Sequence, residues 1–151
     1  MKSARDETTK ALVGEELDDA IYRVVRDGNV SGLREPLETY DNITERDIDD
    51  GSKALHLAAL YRRADIAKLL IQYGANVNAT NNWEYSVLCF ASRYYKSVPL
   101  ILELLCFGAK IDKNALEVDR TGLLVPIEER LEKLRNGERR ITNLCSNEEN
   151  K

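Results

Sequence analysis

The feature of this chain that most constrains its fold is an internal repeat. Residues 69–78 read LLIQYGANVN and recur as residues 103–112, ELLCFGAKID, so that the two Gly-Ala pairs are 34 positions apart. Upstream, residues 54–59 (ALHLAA) recur as residues 87–92 (VLCFAS) at an offset of 33. The extra residue of the second copy therefore falls between these segments, most simply within residues 93–96. A period of this length is typical of a solenoid, in which similar units stack in a row.

Each repeat unit is predicted to contain two short helices. Residues 54–61 and 65–72 both place apolar side chains at positions i, i+3 and i+4, which is the spacing of one helix face. Gly74 then ends the second helix, because glycine adopts the left-handed backbone conformation at little cost. Two helices of this length cannot bury their apolar faces alone, so the units must stack on one another.

The flanking segments resemble caps, which a solenoid needs because its ends face water. Residues 17–39 have the pattern of a degenerate first unit, in which we expect Pro36 to distort the second helix. Residues 126–137 open with proline and close on glycine, as terminal helices often do. Their apolar stripe is narrow and the rest of that helix is charged; the stripe consists of Ile127, Leu131 and Leu134.

We therefore expect a single domain over residues 14–141, between two polar tails. The expected segments are a flexible tail (1–13), a degenerate N-terminal repeat (14–48), a full repeat (49–81), a divergent repeat (82–114), a C-terminal capping helix (115–141) and a second flexible tail (142–151).

The central unit carries a more specific signature. Residues 51–59 read GSKALHLAA, residues 66–70 read IAKLL and residues 74–79 read GANVNA. In this order and spacing they resemble the ankyrin repeat, whose pattern runs G-x-T-P-L-H-x-A-A, then I-V-x-L-L, then G-A-x-V-N-A. The unit that follows is a weaker copy, with Glu84 at the turn glycine and Cys89 at the histidine. The resemblance implies an all-α ankyrin-repeat solenoid of stacked helix-turn-helix units with helical caps.

Two departures from the family pattern affect the loops between units. Lys53 and Ala54 stand where the pattern has Thr-Pro, which removes a hydroxyl cap that typically contributes about 1 kcal/mol. Glu84 obliges any left-handed turn residue at that position to carry a Cβ atom, so a reshaped loop is expected there.

The sequence offers little chemistry for catalysis. His56 is the only histidine, and the resemblance implies a structural role in which its ring bonds the backbone of a neighbouring turn. The eight glycines form no phosphate-binding loop, and the spacing of the three cysteines matches no zinc motif. We expect no enzyme activity, no catalytic residue, no cofactor and no metal site.

Charge and hydropathy restrict the partners. The net charge of −4 and the pI near 5.2 disfavour nucleic acid, whose binding draws on cationic side chains. No apolar run is long enough to span a membrane and the first ten residues do not form a secretory signal, so we expect a cytoplasmic or nuclear protein. We expect neither a membrane nor a small-molecule substrate as partner. Residues 1–50 are strongly acidic, which either orients a partner or simply aids solubility.

A group of aromatic side chains in the divergent unit is the main candidate for binding. Trp83, Tyr85, Tyr94 and Tyr95 lie in its two variable regions, which in ankyrin repeats form the fingertip and the concave helical face that contact partners. Carried over by position, the expected partner-binding residues are Asp49, Asp50, Ser52, Leu60 and Tyr61 in the central unit, and Asn82, Trp83, Tyr85, Arg93 and Tyr94 in the next. The alternative is that the aromatic rings fill space left by the missing glycine and histidine, with Tyr95 the best candidate for such packing.

Non-catalytic protein binding is therefore the expected function, as an adaptor, an inhibitor or an effector. The partner would be another protein, bound through the concave face and the finger loops. A second hypothesis is a scaffold fragment of a longer multidomain chain, whose C-terminal helix packs on a neighbouring domain.

Overall fold

Pairs of short helices make up the computed structural model, which describes residues 14–94, 97–119 and 121–137. Within these ranges the helices are α1 (Glu15–Asp27), α2 (Val30–Thr39), α3 (Ala54–Leu60), α4 (Ala64–Gln72), α5 (Val87–Tyr94), α6 (Val98–Cys106), α7 (Lys113–Val118) and α8 (Leu124–Arg135), with a 3-10 turn at Ile43–Glu45. The two tails that the sequence predicts lie outside the described residues, as do positions 138–141.

The helices form two layers. In the first-helix layer, α3 packs between α1 and α5, and α5 also packs against α7. In the second-helix layer, α4 packs between α2 and α6. Each unit therefore packs mainly against its immediate neighbours, which is the all-α solenoid arrangement that the repeat predicts.

The apolar core lies between the two layers and follows the repeat. Leu55 and its counterpart Leu88 are both 1% exposed, and Leu70 and its counterpart Leu104 are both 0% exposed. The sequence offsets of 33 and 34 thus return the same side-chain type to the same packing position in successive units. The core is one continuous cluster from Leu17 in α1 to Leu124 in α8.

Pro36 lies inside the second helix of the first unit. The proline, which we expect to distort this helix, does not end it, since α2 continues through Pro36 to Thr39. A proline lacks an N–H and its ring crowds the carbonyl four residues earlier, but its own carbonyl can still accept, and the Tyr40 N–H bonds the Pro36 carbonyl at 2.9 Å. The helix therefore continues for a further turn after the proline.

The C-terminal region contains two helices where the sequence predicts one capping helix over residues 115–141. The first, α7, begins where the Asp112 carboxylate accepts a hydrogen bond from the Ala115 N–H at 2.8 Å. The second, α8, begins at Leu124, which makes Pro126 its third residue. Proline is tolerated in the first turn, where the N–H groups have no partner within the helix. Because α7 packs on α5, it serves as the first helix of a truncated fourth unit.

No helix in the described part of the chain combines the length and the apolar character that a membrane crossing requires.

Candidate partner-binding surface

Two loops project from the start of neighbouring helices on one edge of the stack. Finger loop 1 (residues 48–53) precedes α3, and its Ile48 N–H donates to the Ser52 carbonyl at 2.8 Å. Finger loop 2 (residues 80–86) precedes α5, and its Asn81 N–H donates to the Tyr85 carbonyl at 3.1 Å. The tips of the two loops are joined, because the Asn82 N–H donates to the Asp50 carbonyl at 2.9 Å. They therefore form one continuous surface.

The turns at both tips use left-handed backbone. The φ angles are 75° at Gly51 and 63° at Glu84, so the expectation that Glu84 carries a Cβ atom in this conformation is confirmed. A Cβ atom on Gly51 would lie 2.3 Å from Oδ1 of Asn82 in the adjacent tip. Finger loop 1 thus needs glycine at position 51, both for the left-handed backbone and for the close approach of finger loop 2. In finger loop 2 the backbone of Glu84 is strained, because a residue with a Cβ atom adopts this conformation at a cost.

The buried side chain of His56 links the two finger loops. Its ring is fully buried, and Nδ1 accepts a hydrogen bond from the Lys53 N–H at 3.1 Å. The other ring nitrogen, Nε2, therefore carries the proton and donates to the Tyr85 carbonyl at 3.2 Å. Burial lowers the pKa of His56 to about 4, so the ring is neutral at physiological pH. This bond to the neighbouring turn is the structural role that the resemblance implies.

The divergent unit lacks that histidine and uses a serine instead. Ser86 Oγ accepts a hydrogen bond from the Cys89 N–H at 3.1 Å and so caps α5. Burial raises the pKa of the Cys89 thiol to about 11, which keeps it protonated and unreactive at neutral pH. The central unit has the family's histidine without its threonine, and the divergent unit has the hydroxyl without the histidine.

Asn81 organises finger loop 2, and the sequence analysis did not select it. Its side chain is 8% exposed, and Oδ1 accepts hydrogen bonds from the N–H groups of Trp83 and Tyr85, both at 3.0 Å. Its Nδ2 donates to Ser52 Oγ at 3.4 Å, which ties the loop to finger loop 1. The available signal was an asparagine two residues before a tryptophan in a predicted turn, where its side chain commonly bonds the backbone.

Five of the expected binding residues are exposed. They are Asp49, Asp50, Asn82, Trp83 and Arg93. Trp83 has the largest exposed fraction of the large apolar side chains in the described ranges, at 57%. Tyr85 is half-buried, with the Arg93 guanidinium carbon 5.8 Å from the centre of its ring. This contact connects the fingertips to the first-helix layer.

Other expected residues have different surroundings. Ser52 is only 7% exposed and faces Asn81, so it supports the fingertips from inside. Tyr61 is half-buried, with its ring edge-on to Tyr22 at a centroid distance of 5.9 Å and the two hydroxyls hydrogen-bonded. Leu60 is also half-buried. The side chain of Tyr94 and the whole of Tyr95 lie outside the described residues.

Metal-binding side chains do not come together in the part of the chain that the structure describes. Over residues 14–94, 97–119 and 121–137, there is no group of three or more His, Cys, Asp or Glu residues that could hold a metal ion.

Comparisons with known proteins agree with this architecture. A family model described as ankyrin repeats, in three copies, matches residues 4–115. The chain is 31% identical to serine/threonine-protein kinase 12 of Arabidopsis thaliana over 99 residues, which are 64% of this chain and 21% of that protein. It is 35% identical to the ankyrin repeat protein FPV031 of fowlpox virus over 81 residues, which are 54% of this chain and 24% of that protein. The chain thus spans about a quarter or less of these curated relatives.

A solved structure also shares the fold. The crystal structure of the human ASB11 ankyrin repeat domain matches with a TM-score of 0.56 and 24% identity, covering 62% of this chain and 42% of that one. At this identity the match supports the shape of the backbone and not a shared partner.

Proposed function

The chain belongs to the ankyrin-repeat family, and from this membership we propose that it is a non-catalytic protein-binding module that acts as an adaptor, an inhibitor or an effector. Ankyrin repeats are generally modules of protein–protein interaction. The surface proposed for binding combines the two fingertips with the adjoining first-helix layer, which is the concave face in this family.

The exposure of Trp83 is the observation that carries this proposal. Its indole is 57% exposed, although tryptophan side chains are highly buried on average. The loop beneath it is held by both hydrogen bonds to Asn81 Oδ1, at 3.0 Å each. An aromatic side chain on an ordered loop loses little conformational entropy when a partner covers it, which is the property of an interface hot spot.

The proposed contact residues are the exposed members of the predicted set and their half-buried neighbours. They are Asp49, Asp50, Asn82, Trp83, Tyr85 and Arg93, with Leu60 and Tyr61 on the adjoining helix end. Ser52 supports this surface without touching the partner. Tyr94 remains a prediction from sequence position.

A non-catalytic role is supported by the surroundings of His56 and Cys89. Both ring nitrogens of His56 are bonded to backbone, which leaves neither to move a proton for a substrate. The Cys89 thiol is buried and protonated. Neither group is available as a base or a nucleophile.

The test is a capture experiment from extract of the source cells with matched variants. Trp83→Ala and Arg93→Ala remove side chains from the proposed surface. Phe107→Ala removes an exposed aromatic ring that follows α6 in the second-helix layer, and it serves as the control. We expect a partner that the unaltered protein and Phe107→Ala retain and that the first two variants lose. Equal retention by all four proteins would contradict the proposed surface.

A second candidate, the scaffold fragment, is favoured by the position of α8. In this helix Leu124 is fully buried, but Ile127, Leu131 and Leu134 do not join the described core and Val125 is 50% exposed. The helix packs against α7. A helix with an apolar stripe outside the core suits packing on a neighbouring domain.

Sedimentation of the chain and of an Ile127→Ser, Leu131→Ser, Leu134→Ser variant separates the two candidates. If the stripe is a docking face, we expect the unaltered chain to self-associate at high concentration and the variant to remain monomeric. If both sediment as monomers and the variant melts at a lower temperature, the stripe closes this domain and the scaffold hypothesis fails.

A further inference from the structure

The tips of the two finger loops form a compact exposed patch. We define the fingertip surface as Asp49, Asp50, Asn82, Trp83 and Glu84, all of which are exposed. The hydrogen bond between Asn82 and Asp50 fixes the two tips side by side, and the Asn114 side chain anchors the far side by donating to the Glu84 carbonyl at 3.1 Å. The indole and the three carboxylates therefore occupy one ordered surface.

The carboxylates of this surface are not neutralised within the described part of the chain. Neither Asp49, Asp50 nor Glu84 has an ion-pair partner there. Nearby cations are engaged elsewhere: Lys53 pairs with Asp47, Lys113 pairs with Glu117 at 3.6 Å, and Arg93 lies over Tyr85. The surface thus carries three negative charges beside an exposed aromatic ring.

Other acidic side chains extend this edge. Arg46, which precedes finger loop 1, bonds both the Asp18 carboxylate and the Gly14 carbonyl, so the start of α1 lies at the same edge of the stack. Glu15 and Glu16 are exposed there. The resulting potential attracts a positively charged segment and repels an anionic one.

An indole face and carboxylates select the same kind of side chain. The π electrons of tryptophan attract a cation placed over the ring, and carboxylates pair with ammonium or guanidinium groups. From this combination we infer that the fingertip surface docks a basic segment of the partner protein, with a Lys or Arg side chain over Trp83 and between the carboxylates of the two tips. The inference rests on the proposed function and specifies the chemistry of the partner.

The experiment selects ligands from a displayed library of random 12-residue peptides against the whole chain. Selected peptides are then synthesised, and their affinity is measured for three variants. One is Trp83→Ala, and one neutralises the fingertips with Asp49→Asn, Asp50→Asn and Glu84→Gln. The control neutralises three exposed carboxylates in other places, with Glu35→Gln, Asp65→Asn and Glu129→Gln, and so makes the same change in net charge.

We expect the selected peptides to be rich in Lys and Arg. We also expect about a tenfold loss of affinity for Trp83→Ala and for the neutralised fingertips, against less than about a threefold change for the control. The selected peptides could instead be apolar or acidic, depend on Trp83 and bind the neutralised variant equally well. This result would overturn the inference that the partner segment is basic, and it would leave the proposed binding function intact. Peptides indifferent to Trp83 would overturn this inference, and the capture experiment above would then decide the binding function independently.

Discussion

His56 shows how one buried side chain joins two repeat units. It accepts a hydrogen bond from the backbone at the start of its own helix and donates to the Tyr85 carbonyl in the next finger loop. The bond from the Lys53 N–H requires the neutral ring, since a protonated ring cannot accept it, whereas Nε2–H donates to Tyr85 in either state. Protonation of His56 therefore breaks the bond at the start of its own helix and places a charge in a buried position.

The stability of the protein should consequently fall in acid through this residue. The native pKa of His56 is about 4, whereas the ordinary value is 6.5, so the unfolded chain binds more protons between these pH values. The contribution is complete above about pH 6.5 and is lost as the pH falls toward 4, up to about 3 kcal/mol in the free energy of unfolding.

Urea unfolding of the unaltered protein and of His56→Gln between pH 4 and pH 7.5 measures this effect. Glutamine stays neutral throughout, and the carboxylates titrate in both proteins, so the difference between the two curves isolates the only histidine. We expect His56→Gln to be less stable at pH 7 and the gap to narrow in acid. Parallel curves would show that His56 is not held neutral in the folded state.

The paired turn residues Gly51 and Glu84 lead to opposite predictions. Gly51→Ala introduces a Cβ atom at φ 75° and only 2.3 Å from Asn82 Oδ1, so we expect a loss of about 1–2 kcal/mol or more. Glu84→Gly relieves a side chain held at φ 63°, and we expect a gain of up to about 1 kcal/mol. Chemical denaturation of both variants tests the pair. A stabilised Gly51→Ala protein would contradict the described contact between the loops.

At the scale of elements, finger loop 2 depends on Asn81 for its shape. Asn81→Ala leaves the N–H groups of Trp83 and Tyr85 without their acceptor, so we expect a loss of about 1–3 kcal/mol. Trp83 is the only tryptophan, so its fluorescence reports on this loop alone. We expect lower anisotropy and stronger quenching by acrylamide in Asn81→Ala than in Asn82→Ala, whose side chain is exposed. Identical quenching in both variants would mean that Asn81 does not order the loop.

The helices with a clear apolar period could be predicted from the sequence, and those formed by local caps could not. The predicted helices over 54–61 and 65–72 correspond to α3 (Ala54–Leu60) and α4 (Ala64–Gln72) within one residue at each end. The six-residue α7 is too short to show a period, and its start depends on the Asp112 cap. The start of α8 likewise depends on Asp119, whose carboxylate accepts from the Leu124 N–H at 3.0 Å.

The candidate surface could be predicted in position but not in detail. The family pattern and the cluster of aromatic residues selected Trp83 and its neighbours in the two finger loops. Ser52 was selected by the same carry-over, yet its hydroxyl faces Asn81, because the orientation of a loop side chain depends on the tertiary contact with the next unit. Asn81 itself was missed although its bonds to the Trp83 and Tyr85 N–H groups follow a common turn pattern; only its bond to Ser52 crosses between loops that are 29 residues apart.

At the scale of the molecule, adjacent units are joined by polar contacts as well as by the core. Arg63 donates from Nε and Nη2 to the Arg26 carbonyl at 3.1 and 2.6 Å, which ties the second unit to the first. Asn78 bonds the Gly108 carbonyl at 3.3 Å and the Lys110 N–H at 2.8 Å, which ties it to the third. The free energy of unfolding of such a stack is approximately the sum of the stabilities of its units and of the interfaces between neighbouring units. The effect of a destabilising substitution therefore depends on its position along the stack.

Substitution of two buried leucines, one in the centre of the stack and one at its end, tests this dependence on position. Leu70 in α4 and Leu124 in α8 are both 0% exposed, and truncation of either to alanine removes apolar contacts that typically contribute about 2–5 kcal/mol. Because α4 packs against units on both sides, we expect Leu70→Ala to lower the single unfolding transition of the whole stack. Because α8 is held mainly by α7, we expect Leu124→Ala to release α8 and leave most of the unfolding transition unchanged.

Hydrogen–deuterium exchange distinguishes the two outcomes. Faster exchange is expected throughout α1 to α6 for Leu70→Ala, and only in α7 and α8 for Leu124→Ala. Uniform acceleration in both variants would mean that the terminal helices fold as one cooperative unit with the repeats.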